Sequence, residues 1–130
     1  MEIKLKVKQQ HRYTQQRQLL YDGKAEFYRD GNHVRISYKE DDSGSIVLLD
    51  ADEKMLELER IGTDIHTKLT FMNKERSKGS IVSEYGTIEL AVHTYKYIKK
   101  ENVIALEYDI LADDEVTDGY RIIWSLQEGL

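Results

Sequence analysis

Cysteine and proline are both absent from the 130-residue sequence, and long apolar runs are missing as well. Without cysteine the chain has no disulfide framework, no thiolate nucleophile and no cysteine-ligated zinc or iron–sulfur site. Apolar runs reach four residues, as at residues 46–49, whereas a membrane-spanning helix needs about 20. The first residues alternate charged and apolar side chains and lack the apolar stretch of a signal peptide. We therefore expect a cytoplasmic protein with no membrane partner.

Motifs for catalysis and metal binding are also missing. The chain contains no Walker phosphate loop, no dinucleotide fingerprint and no Gly-X-Ser-X-Gly elbow. Its four histidines are far apart in sequence and show no metal-ligand spacing. His93 and Glu89 share one face of a predicted strand but lie roughly 13 Å apart, too far for direct contact. We expect no catalytic residue, no metal and no cofactor, and hence no enzyme activity.

The net charge of −5 is unevenly distributed along the chain. The first 39 residues hold nine Lys and Arg against four Asp and Glu, while the remainder holds ten against twenty. Lysines alternate with apolar residues over positions 3–8, a pattern typical of the solvated face of a half-buried strand. Since the isoelectric point is about 5.4 and an acidic protein repels the phosphate backbone, we expect no nucleic-acid partner.

Alternation with a period of two recurs along the chain and predicts β-strands separated by turns. The clearest hairpin turns at residues 30–32 and continues into a strand over 33–38. The continuous apolar run at 46–49 predicts a strand buried on both faces. A long charged loop is expected at 73–79. Further strands are predicted at about 2–10, 64–71, 81–84, 87–99, 103–112 and 120–127. Another predicted strand follows the first one and ends at residue 28.

Residues 50–62 fit two interpretations. Asp50 and Glu53 resemble a capping box, and the residues that follow favour a helix. The alternative is a turn followed by a strand in which Leu56 and Leu58 alternate with glutamates. We favour the strand, because the neighbouring segments are strands and tertiary context overrides helix propensity.

About eight to ten strands joined by short turns predict a single all-β domain over residues 1–130, folded as an antiparallel up-and-down barrel. Strands that are neighbours in sequence can all pair in such a barrel, and closure removes exposed edges. A barrel of this size has an interior just wide enough to be filled by side chains or to hold one small ligand.

Two segments carry a resemblance to a known family. They are the hairpin at residues 28–40 and the run Glu84-Tyr85-Gly86-Thr87-Ile88-Glu89-Leu90. In these segments, and over essentially its whole length, the chain resembles the small bacterial calycin-like β-barrel proteins of unknown function. The resemblance implies a lipocalin-like barrel in a cytoplasmic protein of a Gram-positive bacterium. It implies no reaction, ligand or site residue.

Aromatic residues provide the candidate site. Five share strand faces with aliphatic residues and are predicted to point inward: Tyr38, Phe71, Tyr108, Tyr120 and Trp124. They either form an ordinary core or line a cavity for a small apolar or amphipathic ligand. The first functional hypothesis is therefore a non-catalytic ligand-binding protein. The second is a solid barrel whose outer face, around His93, Tyr95 and Tyr97, mediates protein contact or homo-oligomer formation.

Overall fold

The computed structural model describes residues 1–127, and the last three residues of the predicted domain, 128–130, lie outside that range. The described chain consists of ten β-strands joined by short turns, and no helix within it is long and apolar enough to cross a membrane. The strands are β1 Glu2–His11, β2 Arg17–Asp30, β3 His33–Lys39, β4 Ile46–Ala51, β5 Met55–Ile61, β6 Ile65–Met72, β7 Arg76–Ser83, β8 Gly86–Lys99, β9 Val103–Ala112 and β10 Glu115–Gln127.

The strands form one closed barrel in which each strand pairs antiparallel with the next in sequence. β1 pairs with both β2 and β10, which closes the sheet. Closure of this kind leaves no strand edge with unpaired backbone groups. The prediction of a single all-β, antiparallel up-and-down barrel is confirmed.

Strand β1 shows how the alternating sequence specifies its orientation. Ile3, Leu5 and Val7 are buried in the barrel, while the intervening lysines are exposed on the outer surface. Because successive side chains of a strand point to opposite faces, one alternating segment supplies both a core face and a solvated face.

Two short turns depend on residues that adopt positive φ. Asp30 pairs with His33, and Gly31 between them has φ of 62°. Asp113 and Asp114 have φ of 52° and 63° in the connection between β9 and β10. Positive φ at both central residues characterises the type I′ turn, which aspartate tolerates better than most residues. This tight turn starts β10 at Glu115, earlier than the predicted start near residue 120.

The ambiguous segment at 50–62 is a turn and a strand, as favoured. The side chain of Asp52 accepts hydrogen bonds from the backbone N–H groups of Lys54 and Met55, at 2.8 and 2.9 Å. An aspartate that bonds the backbone two and three residues ahead can stabilise a turn as well as cap a helix. Here the chain reverses, and Met55 begins strand β5.

Two sequence predictions about exposure and length are wrong. The run at 46–49 is not buried on both faces: Val47 and Leu49 lie in the core, but Ile46 and Leu48 are exposed. A single-layer barrel has no second sheet to cover its outer surface, so the outward residues remain solvated. The predicted loop at 73–79 is also shorter than expected, because β7 begins at Arg76.

A bulge in β8 reverses the orientation of one tyrosine. The pairing of β8 with β9 shifts register between Thr94 and Lys96. The extra residue exchanges the inward and outward faces beyond it. Tyr97, predicted on the outer face, is therefore buried, and its hydroxyl donates a hydrogen bond to the backbone oxygen of Asp52 at 2.5 Å.

Candidate functional site: the open end of the barrel

The two ends of the barrel differ in how well their inward side chains are covered. We call the end where β1 begins and β10 finishes the closed end, and the opposite one the open end. Along β6, the exposed fraction of the inward side chains rises from 0% at Phe71, which is nearer the closed end, to 53% at Ile65, at the open end. Along β8, it rises from 0% at Val92 to 59% at Ile88. The packed core thus fills the closed end and stops short of the open end on this side of the barrel.

The inner wall of the open end is mainly apolar. Its members lie on the inward faces of β5 to β9 and are only partly buried or exposed: Leu58, Ile65, Thr67, Ile81, Ile88, Leu90 and Ile110. On the other side, β3 and β4 remain buried up to Tyr38 and Val47. The opening is therefore a one-sided apolar recess above a packed core.

Tyr108 lies where the packed core meets this recess. Its ring packs edge-on against Phe71, with centroids 4.7 Å apart, and lies 5.9 Å from the ring of Tyr120. Burial raises the pKa of Tyr108, and the nearby Tyr120 and Asp118 raise it further. The hydroxyl of Tyr108 makes no hydrogen bond within the described residues. This hydroxyl is a polar group at the base of the apolar recess, and it can still donate a hydrogen bond.

A histidine–aspartate–tyrosine network lies beside Tyr108. Nε2 of His11 is 2.5 Å from Oδ1 of Asp118, and the hydroxyl of Tyr120 donates to Oδ2 at 2.7 Å. Burial alone would raise the pKa of Asp118, but the hydrogen bonds from Tyr120 and His11 outweigh it and leave the pKa below its usual value. Burial, with Asp118 adding to it, raises the pKa of Tyr120 to about 12.

Both ring nitrogens of His11 are engaged. Nδ1 accepts hydrogen bonds from the backbone N–H groups of Tyr13 and Thr14, each at 3.2 Å. Nε2 must then carry the proton that is donated to Asp118. This histidine fixes the loop after β1 and has no free nitrogen with which to act on a ligand.

The five aromatic residues predicted to point inward all do so, but they lie at different depths. Phe71 and Trp124 are within the packed core, as is Tyr38, whose hydroxyl accepts a hydrogen bond from Nε1 of Trp124 at 3.1 Å. Burial raises the pKa of Tyr38 to about 12. Tyr108 and Tyr120 alone among the five face the partly open recess.

A buried charge cluster on the outer surface near the open end was missed by sequence reasoning. Asp109 is almost fully buried and accepts hydrogen bonds from Arg12 at 2.5 Å, Tyr13 at 2.8 Å and Tyr95 at 2.9 Å. The guanidinium of Arg12 also lies 4.2 Å from the ring centroid of Tyr95. Burial opposes ionisation of Asp109, but the three donors outweigh it and hold its pKa below the usual value.

Gly119 makes room for this cluster. It pairs with Asp109 across β10 and β9, and its backbone oxygen accepts a hydrogen bond from the N–H of Arg12 at 3.0 Å. A Cβ at this position would clash with Oδ1 of Asp109 and would lie 2.8 Å from Cε2 of Tyr13. The absence of a side chain thus lets the loop after β1 fold over the outer face. No sequence motif predicts the contact of this loop with Gly119 and Asp109, because the residues that meet there are distant in the chain.

The remaining histidines give no metal site in the part of the chain that the structure describes. His33 pairs with Asp50, and Nε2 of His66 is 2.8 Å from Oε2 of Glu59, both on the outer surface. No group of three or more potential ligands lies together within residues 1–127. His93 packs its ring against Tyr95, with centroids 4.4 Å apart.

These features define a small ten-stranded antiparallel barrel, packed at one end and open at the other. A family model described as a domain of unknown function, DUF1934, matches residues 3–123, and the chain belongs to that family. The expected membership of an uncharacterised barrel family is confirmed.

A solved structure supports the same fold. The ywiB protein from Bacillus subtilis, known from a crystal structure, is similar to this chain with a TM-score of 0.77. The match covers 99% of this chain and 92% of that protein at 19% sequence identity, which shows a shared fold. No protein with a curated description matches the sequence.

Proposed function

We propose that this protein is a non-catalytic, cytoplasmic binding protein that holds a small amphipathic ligand in the recess at the open end of the barrel. The observation that carries the proposal is the hydroxyl of Tyr108, which has no hydrogen-bond partner among residues 1–127 and lies at the base of an apolar wall whose inward residues are partly or largely exposed. Ligand sites in proteins typically combine such walls with a few polar groups that fix orientation.

The chemistry of the recess supports a ligand with one polar, hydrogen-bond-accepting group. Tyr108 can donate a hydrogen bond at the base. Arg60 follows Leu58 on the inward face of β5, and about half of its side chain is exposed. Its Nη2 atom lies 2.7 Å from Oε1 of Glu40. Its remaining N–H groups can also donate. Since Trp124 and Phe71 fill the barrel beyond this point, the ligand must be short.

The state of the acid and base groups supports the absence of catalysis. Both nitrogens of His11 are occupied, and both oxygens of Asp118 are bonded. Asp109 already accepts three hydrogen bonds. A general base must be able to reach the proton that it removes, and these groups are instead committed to structural bonds.

A fluorescence titration with Prodan, a small neutral two-ring dye with a ketone acceptor, tests the proposal. We expect the dye to bind and brighten with the unaltered protein. The double variant Ile65→Ser with Ile88→Ser should bind about tenfold more weakly, because each buried methylene contributes about 0.8 kcal/mol. Tyr108→Phe should bind more weakly as well, since a hydrogen bond contributes about 1 kcal/mol.

The matched control is Ile46→Ser with Leu48→Ser, which removes two exposed aliphatic side chains from the outer face of β4. This pair should leave dye binding unchanged. Equal losses in both double variants, or no binding by the unaltered protein, would show that the recess is not a ligand site.

A further inference from the structure

The outer surface formed by β2, β1 and β10 is strongly basic although the protein as a whole is acidic. We call this surface the basic face. Its cationic side chains all point outward: Lys4, Lys6, Lys8, Arg17, Lys24 and Arg121. Asp22, which lies 3.8 Å from Lys6, is a carboxylate placed among them. Two more carboxylates lie at the closed-end margin of the face: Glu2, 3.5 Å from Lys24, and Glu26, which pairs with Glu2 across β1 and β2.

Strand register places the side chains of this face in rows. Lys8 pairs with Leu19 on one side and with Ile123 on the other. Gln10, the next outward residue, pairs with Arg17 and Arg121. A row of two aliphatic residues around a lysine therefore lies next to a row of two arginines around a glutamine.

These two rows line a groove of about 450 Å³ near the open end. Leu19 and Ile123 are both about half exposed, although they are aliphatic. No carboxylate is among the residues that line the groove. Arg121 is also held by Glu107 of β9, at 3.2 Å, which fixes the position of its guanidinium group.

We propose that the basic face is a docking site for an extended acidic segment of a partner protein. The lysines of β1 recur every second residue, which spaces them about 6.6 Å apart. Alternate side chains of an extended peptide have the same spacing, so Asp or Glu at every second position would meet successive lysines. An aliphatic side chain of the same segment would contact Leu19 and Ile123.

Two features favour a peptide over single-stranded nucleic acid. Proteins that bind single strands stack the bases on aromatic side chains. The outward rows of β2, β1 and β10 from Lys4 to Gln10 contain no aromatic residue. The exposed Leu19 and Ile123 instead suit an aliphatic side chain. Because the barrel is closed, the segment would dock through side chains and not by adding a strand.

Fluorescence anisotropy with a labelled peptide, Glu-Ser-Glu-Ser-Leu-Ser-Glu-Ser-Glu, tests this proposal on the full chain. We expect binding at low salt that weakens as salt screens the charges. Replacing both Lys8 and Arg17 by Glu should weaken binding by about tenfold or more, since each exposed ion pair contributes up to about 1 kcal/mol and becomes a repulsion.

The control Lys68→Glu with Lys78→Glu makes the same change in net charge on the outer face of β6 and β7. It should change affinity by less than about twofold at about 0.1 M salt, because β6 and β7 lie on the opposite side of the barrel from β1 and the screening length is then about 10 Å. Equal effects of the two double variants would overturn the proposal, as would equal binding of a peptide with Gln in place of Glu. Tighter binding of a labelled oligothymidylate than of the acidic peptide would assign the face to nucleic acid instead.

Discussion

The closed and open ends of the barrel are made from the same alternating strands, yet they are stabilised by different interactions. At the closed end, inward side chains such as Phe71 and Trp124 are packed on all sides by apolar neighbours. At the open end, inward residues such as Ile65 and Ile88 remain exposed. The chain at the open end is held chiefly by polar contacts. His11 and Asp118 make them inside the barrel, and Asp109 makes them on its outer surface.

Because of this difference, we expect the closed end to determine the stability of the protein and the open end to determine binding. A packed core contributes free energy through burial and leaves no space for a ligand. An exposed apolar wall contributes little to folding but can bury its surface against a bound molecule. We therefore expect substitutions at the closed end to change the free energy of unfolding and substitutions at the open end to change binding.

The largest expected effect contrasts the two ends directly. Phe71→Ala should lower the free energy of unfolding by about 3–5 kcal/mol, because it leaves a cavity in a fully packed region. Ile88→Ala, which removes a largely exposed side chain, should lower it by less than about 1 kcal/mol. Urea denaturation of both variants measures the contrast, and similar losses would mean that the open end is packed as tightly as the closed end.

The next effect concerns the charge cluster that fastens the loop after β1. Asp109→Asn should destabilise the protein by about 2 kcal/mol at pH 7, because Arg12 loses its buried partner. The pKa of Asp109 is lowered in the folded protein, so its contribution is present above the unfolded value of about 3.9 and is lost as pH falls through the folded value.

Urea denaturation at a series of pH values measures this dependence. The difference between the unaltered protein and Asp109→Asn should shrink as the pH falls below about 4. Phe71→Ala serves as the control, because its deficit arises from apolar packing and should persist over the same range. A gap that stayed constant for Asp109→Asn would argue against a charged aspartate in the cluster.

A smaller effect is expected for Gly119→Ala. The added methyl group would meet Oδ1 of Asp109 and the ring of Tyr13, so that both the carboxylate and the loop after β1 would have to move, at a cost of about 1–2 kcal/mol. Ser125→Ala, on the outward face of the same strand, is the control and should change stability by less than about 0.5 kcal/mol. Thermal unfolding of the two variants measures the difference. Equal midpoints would show that the loop does not need the space at Gly119.

The smallest expected effect is a gain in stability. Oγ1 of Thr94 is buried without a hydrogen-bond partner within residues 1–127. Thr94→Val replaces this hydroxyl by a methyl group of similar size and should raise the free energy of unfolding by up to about 1 kcal/mol. Thr67→Val, at the partly exposed open end, should leave it nearly unchanged. A loss of stability in Thr94→Val would mean that the hydroxyl is satisfied in solution.

Much of the fold could be predicted from local patterns. Val34, Ile36 and Tyr38 alternate with polar residues, and they are buried as that pattern requires. The error at 46–49 arose because a run of aliphatic residues does not state whether a second layer covers the outer face. The error at Tyr97 arose because one extra residue at the bulge near Tyr95 exchanges the two faces, and no local pattern marks that residue.

The candidate site could be predicted only in part. The inward direction of Tyr108 and Tyr120 follows from alternation, but their position at the open end does not. Asp109 looks like any outward carboxylate in the sequence, and its burial depends on Arg12, 97 residues away. Such contacts form only when β1 and β10 pair and bring the loop after β1 over the outer face.

The sequence by itself therefore determined the strands, most of their inward and outward faces, and closure into one barrel, because each follows from period-two alternation and short connections. Only the tertiary structure decided which end is packed, why the Tyr108 hydroxyl lacks a hydrogen-bond partner among residues 1–127, and how the lysine row of β1 continues into the row where Gln10 pairs with Arg17 and Arg121. Those features depend on strand register and on contacts between distant residues, which closure of the barrel sets and no local pattern encodes.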